Sequence, residues 1–213
     1  NWEAPVMATI SLVQAFLASM LLGLYLGINF DVHNSVFSWS MHLPIKIGSN
    51  PFTVLLRQHP DFSKIPLFHE ANYLAKLDGR GLNPLLQNYW MTIHPPTLFL
   101  GFALTVVPFA YAIAGLWKKQ FNEWIKPALP WAFFGVMILG TGILMGGAWA
   151  YEALSFGGFW AWDPVENSSL VPWLPFVGGA HVMLVNKNKG SSLSSTFFLI
   201  ILTFILVLYS TFL

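Results

Sequence analysis

Apolar runs of membrane-spanning length alternate with polar breaks along this chain. Pro5 to Phe30 carries no charge over about 25 residues, the length a bilayer core requires. Further runs cover about Trp90 to Trp117, Pro130 to about Trp149, Val171 to Val185 and Ser194 to Leu213. The fourth is short and carries Pro175 and Gly178-Gly179, yet polar residues flank it on both sides. The pattern predicts an all-α integral membrane protein, a multi-span helical bundle of about five spans. Its organisation reads as a spanning helix over 1–30, an irregular segment over 31–89, two spans with a short loop over 90–148, a Trp-rich loop over 149–173, and two spans over 174–213.

The segment from Asp31 to Tyr89 mixes Pro, Gly, Asn and both charge signs, with five Lys or Arg against four Asp or Glu. It is too long for an idle connection. Apolar residues at helical spacing over Phe62 to Leu77 predict a short helix lying on the membrane surface, and Asp78 to Gln87 reads as a turn leading into the second span. His33, His42, His59 and His69 lie in this segment without regular spacing and read as ordinary surface residues.

Lys118, Lys119 and Lys126 fall between the second and third spans, and Lys187 and Lys189 between the fourth and fifth. Positive charge stays in the cytoplasm. The amino terminus is therefore expected inside, with residues 31–89 and the Trp-rich loop together on the outer, periplasmic side.

Composition agrees with a membrane protein: 55% of residues are hydrophobic and only 9% charged, against about 25% charged in soluble domains. The net charge of +1 and the absence of a basic run exclude a nucleic-acid partner. Membrane lipid is the expected surrounding. With no cysteine there is no disulfide framework, thiolate metal site or CxxCH haem attachment. The chain opens on Asn1 without a basic leader and stops inside an apolar run, so it reads as an excerpt of a longer protein.

The densest chemistry lies between Trp149 and Trp173. Four of the ten tryptophans (Trp149, Trp160, Trp162, Trp173) and three of the nine acids (Glu152, Asp163, Glu166) fall there. Aromatic residues gather at membrane interfaces whatever the function. Asp163-Pro164-Val165-Glu166 has the form of a capping box, with Asp at N-cap, Pro at the first helical position and Glu three residues after the cap. Neither reading accounts for Gly157-Gly158 ahead of Phe159-Trp160-Ala161-Trp162, where a turn presents flat side chains just before a helix N-terminus. Such a floor suits a flat, π-rich ligand carrying carboxylates. From the residues alone, cap and platform stand side by side.

Two histidines differ from the rest. His94 precedes Pro95-Pro96 at the mouth of the second span, at or near its N-cap, where the helix dipole favours the neutral imidazole that ligates metal. It serves equally well as a plain cap. His181 lies nine residues beyond Pro172, some 13 Å into the fourth span at about 1.5 Å per residue. An ionisable group at that depth is paired or coordinated, either to a neighbouring helix or to a metal.

The run from Gly157 to Leu174 closely resembles the tryptophan-rich WWD motif of haem-handling proteins, and in particular the CcmF-type cytochrome c haem lyases. It departs from the usual pattern at Phe159, where a further Trp is usual, and at Ala161, where Phe is usual. The stretch from Trp90 to Gly101 resembles the family segment bearing a periplasmic haem ligand, and His181 falls where the family holds a b-type haem inside the membrane. The resemblance covers essentially the whole chain but only the amino-terminal to central portion of a family protein. It implies that haem b is the cofactor, that Trp149, Trp160, Trp162, Asp163, Glu166 and Trp173 bind it, and that His94 and His181 ligate iron. The second ligand of each iron would lie outside this chain, and no catalytic residue is assigned.

The function implied is that of an enzyme, the haem lyase of cytochrome c biogenesis. Such a protein holds haem at the periplasmic face of the bacterial inner membrane for thioether attachment to CxxCH of apocytochrome c. The expected partners are a haem chaperone, apocytochrome c and other membrane subunits of cytochrome c maturation. The alternative is a haem-delivery or export protein that binds haem without promoting attachment. A quinol-oxidising b-type cytochrome would need regularly paired histidines across helices, which the chain lacks, and a plain transporter would carry no haem.

Overall fold

The structure, a computed structural model, describes residues 2–22, 24–34, 37–47 and 81–210, with side chains over 2–18 and 81–210. The surface helix expected over Phe62 to Leu77, and His59 and His69, lie outside the described residues. Asn1–Ile10 together with Gly81–Leu213 form one compact unit, and Ser11–Arg80 form another.

The larger unit is helical. After the start of α1 (Glu3–Leu22) and a 3-10 turn at Pro84–Leu86 come α2 (Tyr89–Trp117), α3 (Ile125–Ala153), α4 (Pro164–Lys189) and α5 (Leu193–Ser210). Among the described residues, α2 to α5 are the four helices long and apolar enough to cross a membrane. Together they make a multi-span membrane bundle. Consecutive helices pack on one another, and α5 returns to α2. The first turns of α1 join this unit, with Val6 buried beside Ala110 and Ala114 and Trp2 tilted over Tyr111 at 6.4 Å.

Small residues set the closest approach. A Cβ on Gly101 would lie 2.5 Å from Leu139 Cα, and one on Gly142 would lie 2.8 Å from Leu98 Cα. Only glycine lets the backbones of α2 and α3 come so near, the usual means by which helices associate in lipid. The core runs through Ala128, Ala132, Leu139, Phe176, Ala180, Met183 and Ile200, and is closed at one end by the fully buried Trp124.

Two spans are longer than hydropathy indicates, and the start of the fourth is fixed by a hydrogen-bonded cap and not by apolarity. The third extends from the expected Pro130–Trp149 to Ile125–Ala153. The fourth begins at Pro164, since Asp163 Oδ1 accepts from Glu166 N at 2.7 Å, and it runs through Pro172 and Pro175 to a left-handed Gly190 cap. Trp149 therefore belongs to the end of α3 and Trp173 to the body of α4, which leaves a connecting loop of only Leu154 to Asp163.

The first span departs from expectation. α1 ends at Leu22, and Leu24–Asn34 forms β1, paired antiparallel with β2 (Phe37–Ile47). The reason lies in the periodicity. Leu24, Leu26, Ile28, Phe30 and Val32 alternate with Tyr25, Gly27, Asn29, Asp31 and His33, a two-residue repeat that suits a strand and not a helix. The register sets the first set opposite Ile47, Ile45, Leu43, Met41 and Trp39, so apolar positions of both strands share a face. His33 and His42 fall on the other face. Pro44 is admissible because each strand of a two-stranded sheet has a free edge.

Candidate functional site

The loop between α3 and α4 is built by α4's first turn. Glu166 Oε2 accepts from both Ala161 N (2.7 Å) and Trp162 N (2.9 Å), and Asn167 Nδ2 donates to the carbonyls of Trp162 (3.0 Å) and Asp163 (2.9 Å). The capping box is thus displaced: Glu166 reaches past the Asp163 N–H to the two residues before it. Gly157 turns the chain at φ +69°, and Trp162 is held at φ +60°. For a bulky side chain that is a strained conformation, kept only where the surroundings over-determine it.

The clamp lays out aromatic faces. Phe159 stacks on Tyr151 at 4.4 Å with planes 5° apart, and Trp160 and Trp162 meet edge to face at 6.3 Å. Trp162 remains 72% exposed. Trp160 turns inward, and its indole N–H is buried without a hydrogen-bond acceptor. It lines a cavity of about 120 Å³ together with His94, Gly146, Trp149, Asp163 and Glu166.

His94 sits inside α2, more than a turn past its cap. The N-cap is Asn88, whose side chain accepts from Trp90 N at 2.8 Å. The capping reading of His94 is therefore replaced by a tertiary one. Its Nδ1 lies 2.8 Å from the carbonyl oxygen of Gly142 on α3. A carbonyl only accepts, so Nδ1 carries the proton and Nε2 keeps its lone pair, the arrangement that prepares an imidazole for a metal. Gly146 gives the ring its room, since a Cβ there would lie 2.6 Å from Cε1.

Around these residues, Trp149 Nε1 donates to Leu85 O at 3.1 Å and Asn88 Nδ2 to Glu152 Oε2 at 3.1 Å, which ties the approach to α2 onto the end of α3. Asn88, Gly142, Gly146 and Asn167 were not singled out in the sequence. Only Asn88, an N-cap type just before an apolar run, carried a readable signal.

The structure brings together His94, Trp149, Trp160, Asp163 and Glu166, with Trp162 beside them. It separates Trp173 and His181. Trp173 lies ten residues along α4 from Asp163, about 15 Å away along the axis. There its N–H donates to Val136 O at 3.0 Å, and its ring packs on Gly140. Trp173 thus packs between α3 and α4, apart from the other tryptophans of the stretch. His181 lies on the outer surface of α4, with Nδ1 2.8 Å from its own helix's Val177 O and its ring edge-on to Phe133 at 6.0 Å. Phe133 precedes Gly142 by nine residues on α3, so the two histidines differ in depth by about 14 Å. Among the described residues, no group of three or more His, Cys, Asp or Glu is placed to hold a metal.

The family model described as cytochrome C assembly protein matches residues 6–213. The chain belongs to the cytochrome c assembly protein family. Among its relatives is the "Cytochrome c-type biogenesis protein CcmF" of Haemophilus influenzae, 36% identical over 84% of the chain and 25% of the relative. The protein of that name from Pseudomonas aeruginosa is 40% identical over 78% of the chain and 23% of its own length. The "Probable cytochrome c-type biogenesis protein NrfE" of Escherichia coli is 37% identical over 63% of the chain and 25% of its own length. This assembly protein thus spans about a quarter of the length of the curated relatives it matches. No solved structure matches it.

Proposed function

We propose that this assembly protein holds haem b for cytochrome c biogenesis, as part of a haem lyase, with the Trp loop on the periplasmic face of a bacterial inner membrane. The observation that carries this reading is His94, its Nδ1 engaged by Gly142 and its Nε2 left with a lone pair, beside a loop that spends its acids on presenting aromatic faces.

The residues present fit the group. A cavity of about 120 Å³ is smaller than the roughly 300–1,000 Å³ of sites that enclose a ligand, so these residues would hold part of the group and not enclose it. Phe159 and Trp162 are 59% and 72% exposed and offer an aromatic face. The buried Trp160 N–H is a donor in want of an acceptor. Asp163 and Glu166 act by fixing the loop. His181, outward on α4 with its Nδ1 engaged, would ligate a second haem within the membrane, and each iron would take its other ligand from beyond the described residues. When bound, haem supplies the vinyl carbons to which cysteine thiols of CxxCH add, S–H across C=C, without net oxidation. The chain's task is to orient that edge and exclude competing reactions. The partners on this reading are a haem chaperone, apocytochrome c and further membrane subunits of the maturation system.

The test is carried out in the full-length protein. Trp160→Ala and Trp162→Ala are expected to reduce capture of haem from its chaperone and the yield of thioether-linked cytochrome, while an in-membrane Soret band persists. Unchanged capture at normal expression would overturn the platform. Normal capture without any dependence of thioether formation on this protein would assign it to haem delivery instead.

A further inference from the structure

At the opposite end of the bundle, the α2–α3 turn and the end of α4 border a second cavity, about 370 Å³, lined by Asn122, Ile125, Lys126, Asn186, Lys187 and Gly190. Three independent features meet there. Asn186 is only 4% exposed; its Nδ2 donates to Asn122 Oδ1 at 3.3 Å, while its Oδ1 has no partner. A buried amide oxygen without a donor is costly and calls for an explanation. Second, α3 starts beside this cleft with Trp124 at its N-cap and no side-chain cap bond; Ile125 N–H donates to Asn122 O at 3.3 Å and Pro127 has no N–H, so the helix start offers the Lys126 N–H and the positive end of the dipole. Third, the cleft is lined by two lysines, Lys126 and Lys187, and no ion pair is formed among the described residues that line it. The carbonyl end of α4 opposes an anion here, and Lys187 and Lys189 in its last turn offset it.

Ammonium groups and a helix start call for an anion; the orphaned Asn186 oxygen calls for a donor. A phosphate with a hydroxyl close beside it brings both. We infer that this cleft binds a phosphate-bearing anion, with the headgroup of an acidic, hydroxylated phospholipid as its source. The position argues for that source, because helix ends lie in the headgroup layer. The Lys-rich end is the one that charge bias sets in the anionic cytoplasmic leaflet, where basic pockets between helices collect such headgroups. The site is remote from the Trp loop and does not depend on the reading given to that loop.

The experiment uses the full-length protein in neutral detergent, titrated separately with short-chain phosphatidylglycerol, short-chain phosphatidylcholine and inorganic phosphate, with the thermal midpoint as readout. Phosphatidylglycerol is expected to raise the midpoint and phosphatidylcholine to leave it unchanged. The apparent affinity for phosphatidylglycerol should fall by about tenfold or more in Lys126→Gln/Lys187→Gln. Asn186→Asp, nearly identical in shape, should abolish the response by setting a carboxylate against the phosphate. The midpoints without ligand report whether each variant folds, and Lys187→Gln alone replaces the double variant if that one does not. An equal, lysine-dependent rise with inorganic phosphate would assign the site to the soluble anion and retain the phosphate chemistry. Equal responses of wild type and variants to phosphatidylglycerol would overturn it.

Discussion

His94 and His181 share one device, an Nδ1 fixed on a backbone carbonyl at 2.8 Å, but they take the carbonyl from different places. His94 takes it from Gly142, on another helix and 48 residues away in sequence, so its orientation exists only when α2 and α3 are packed. His181 takes it from Val177, one turn back on its own helix, and lies exposed on the bundle's surface. One imidazole is preformed by tertiary structure. The other takes its hydrogen bond from its own helix, with only the edge of Phe133 beside it from α3.

The largest effect expected from this contrast is at His181. In the full-length protein His181→Ala should abolish the in-membrane haem signal in optical and EPR spectra while the apoprotein keeps its stability to within about 0.5 kcal/mol, as for surface substitutions. His94→Ala should instead cost about 1–3 kcal/mol by removing the hydrogen bond to Gly142 between α2 and α3 and the packing of the ring. Equal thermal shifts for the two variants would break the comparison.

Next in size is a glycine packed against one ring, set beside a glycine on the other histidine's helix that touches no ring. Gly146→Ala drives a methyl against His94 Cε1 and should lower thioether-linked cytochrome yield by about tenfold or more through misplacement of the ring. Gly178→Ala, on His181's helix, meets nothing closer than Leu199 Cδ1 at 3.7 Å, and its yield should stay at the wild-type level.

The loop gives smaller effects. Asp163→Asn keeps a capable N-cap and should be neutral, whereas Asp163→Ala should cost about 1 kcal/mol in thermal denaturation. If Asn proved as damaging as Ala to haem capture, the charge and not the cap would be the essential feature. The smallest shift is expected from Trp162→Asn. Asn accepts the left-handed backbone, so stability should rise by roughly 0.5–1 kcal/mol even as haem capture falls. A loss of both would mean that the indole holds the loop together.

What the sequence made legible follows from how local each signal is. The Asp163-Pro164-Val165-Glu166 start of α4 was readable because a cap and its partner lie within four residues. α2 was readable because its apolar run coincides with its hydrogen-bonded length. The partner of His94 was not, since a backbone carbonyl on another helix leaves no mark in residue type. Nearness in sequence sets Trp173 with the other tryptophans, while ten residues of helix carry it to Val136. Uncharged length alone carries the first span to Phe30, whereas the strict alternation of Leu24 to His33 marks where α1 gives way to β1.

The alternation in β1 and β2 also fixes which length changes the hairpin can absorb. One residue inserted within β1 would invert everything beyond it and set Leu and Ile positions opposite Lys46, Pro44 and His42. Two residues would restore the match, displaced by one repeat. Tolerance here depends on whether an insertion is odd or even more than on how long it is.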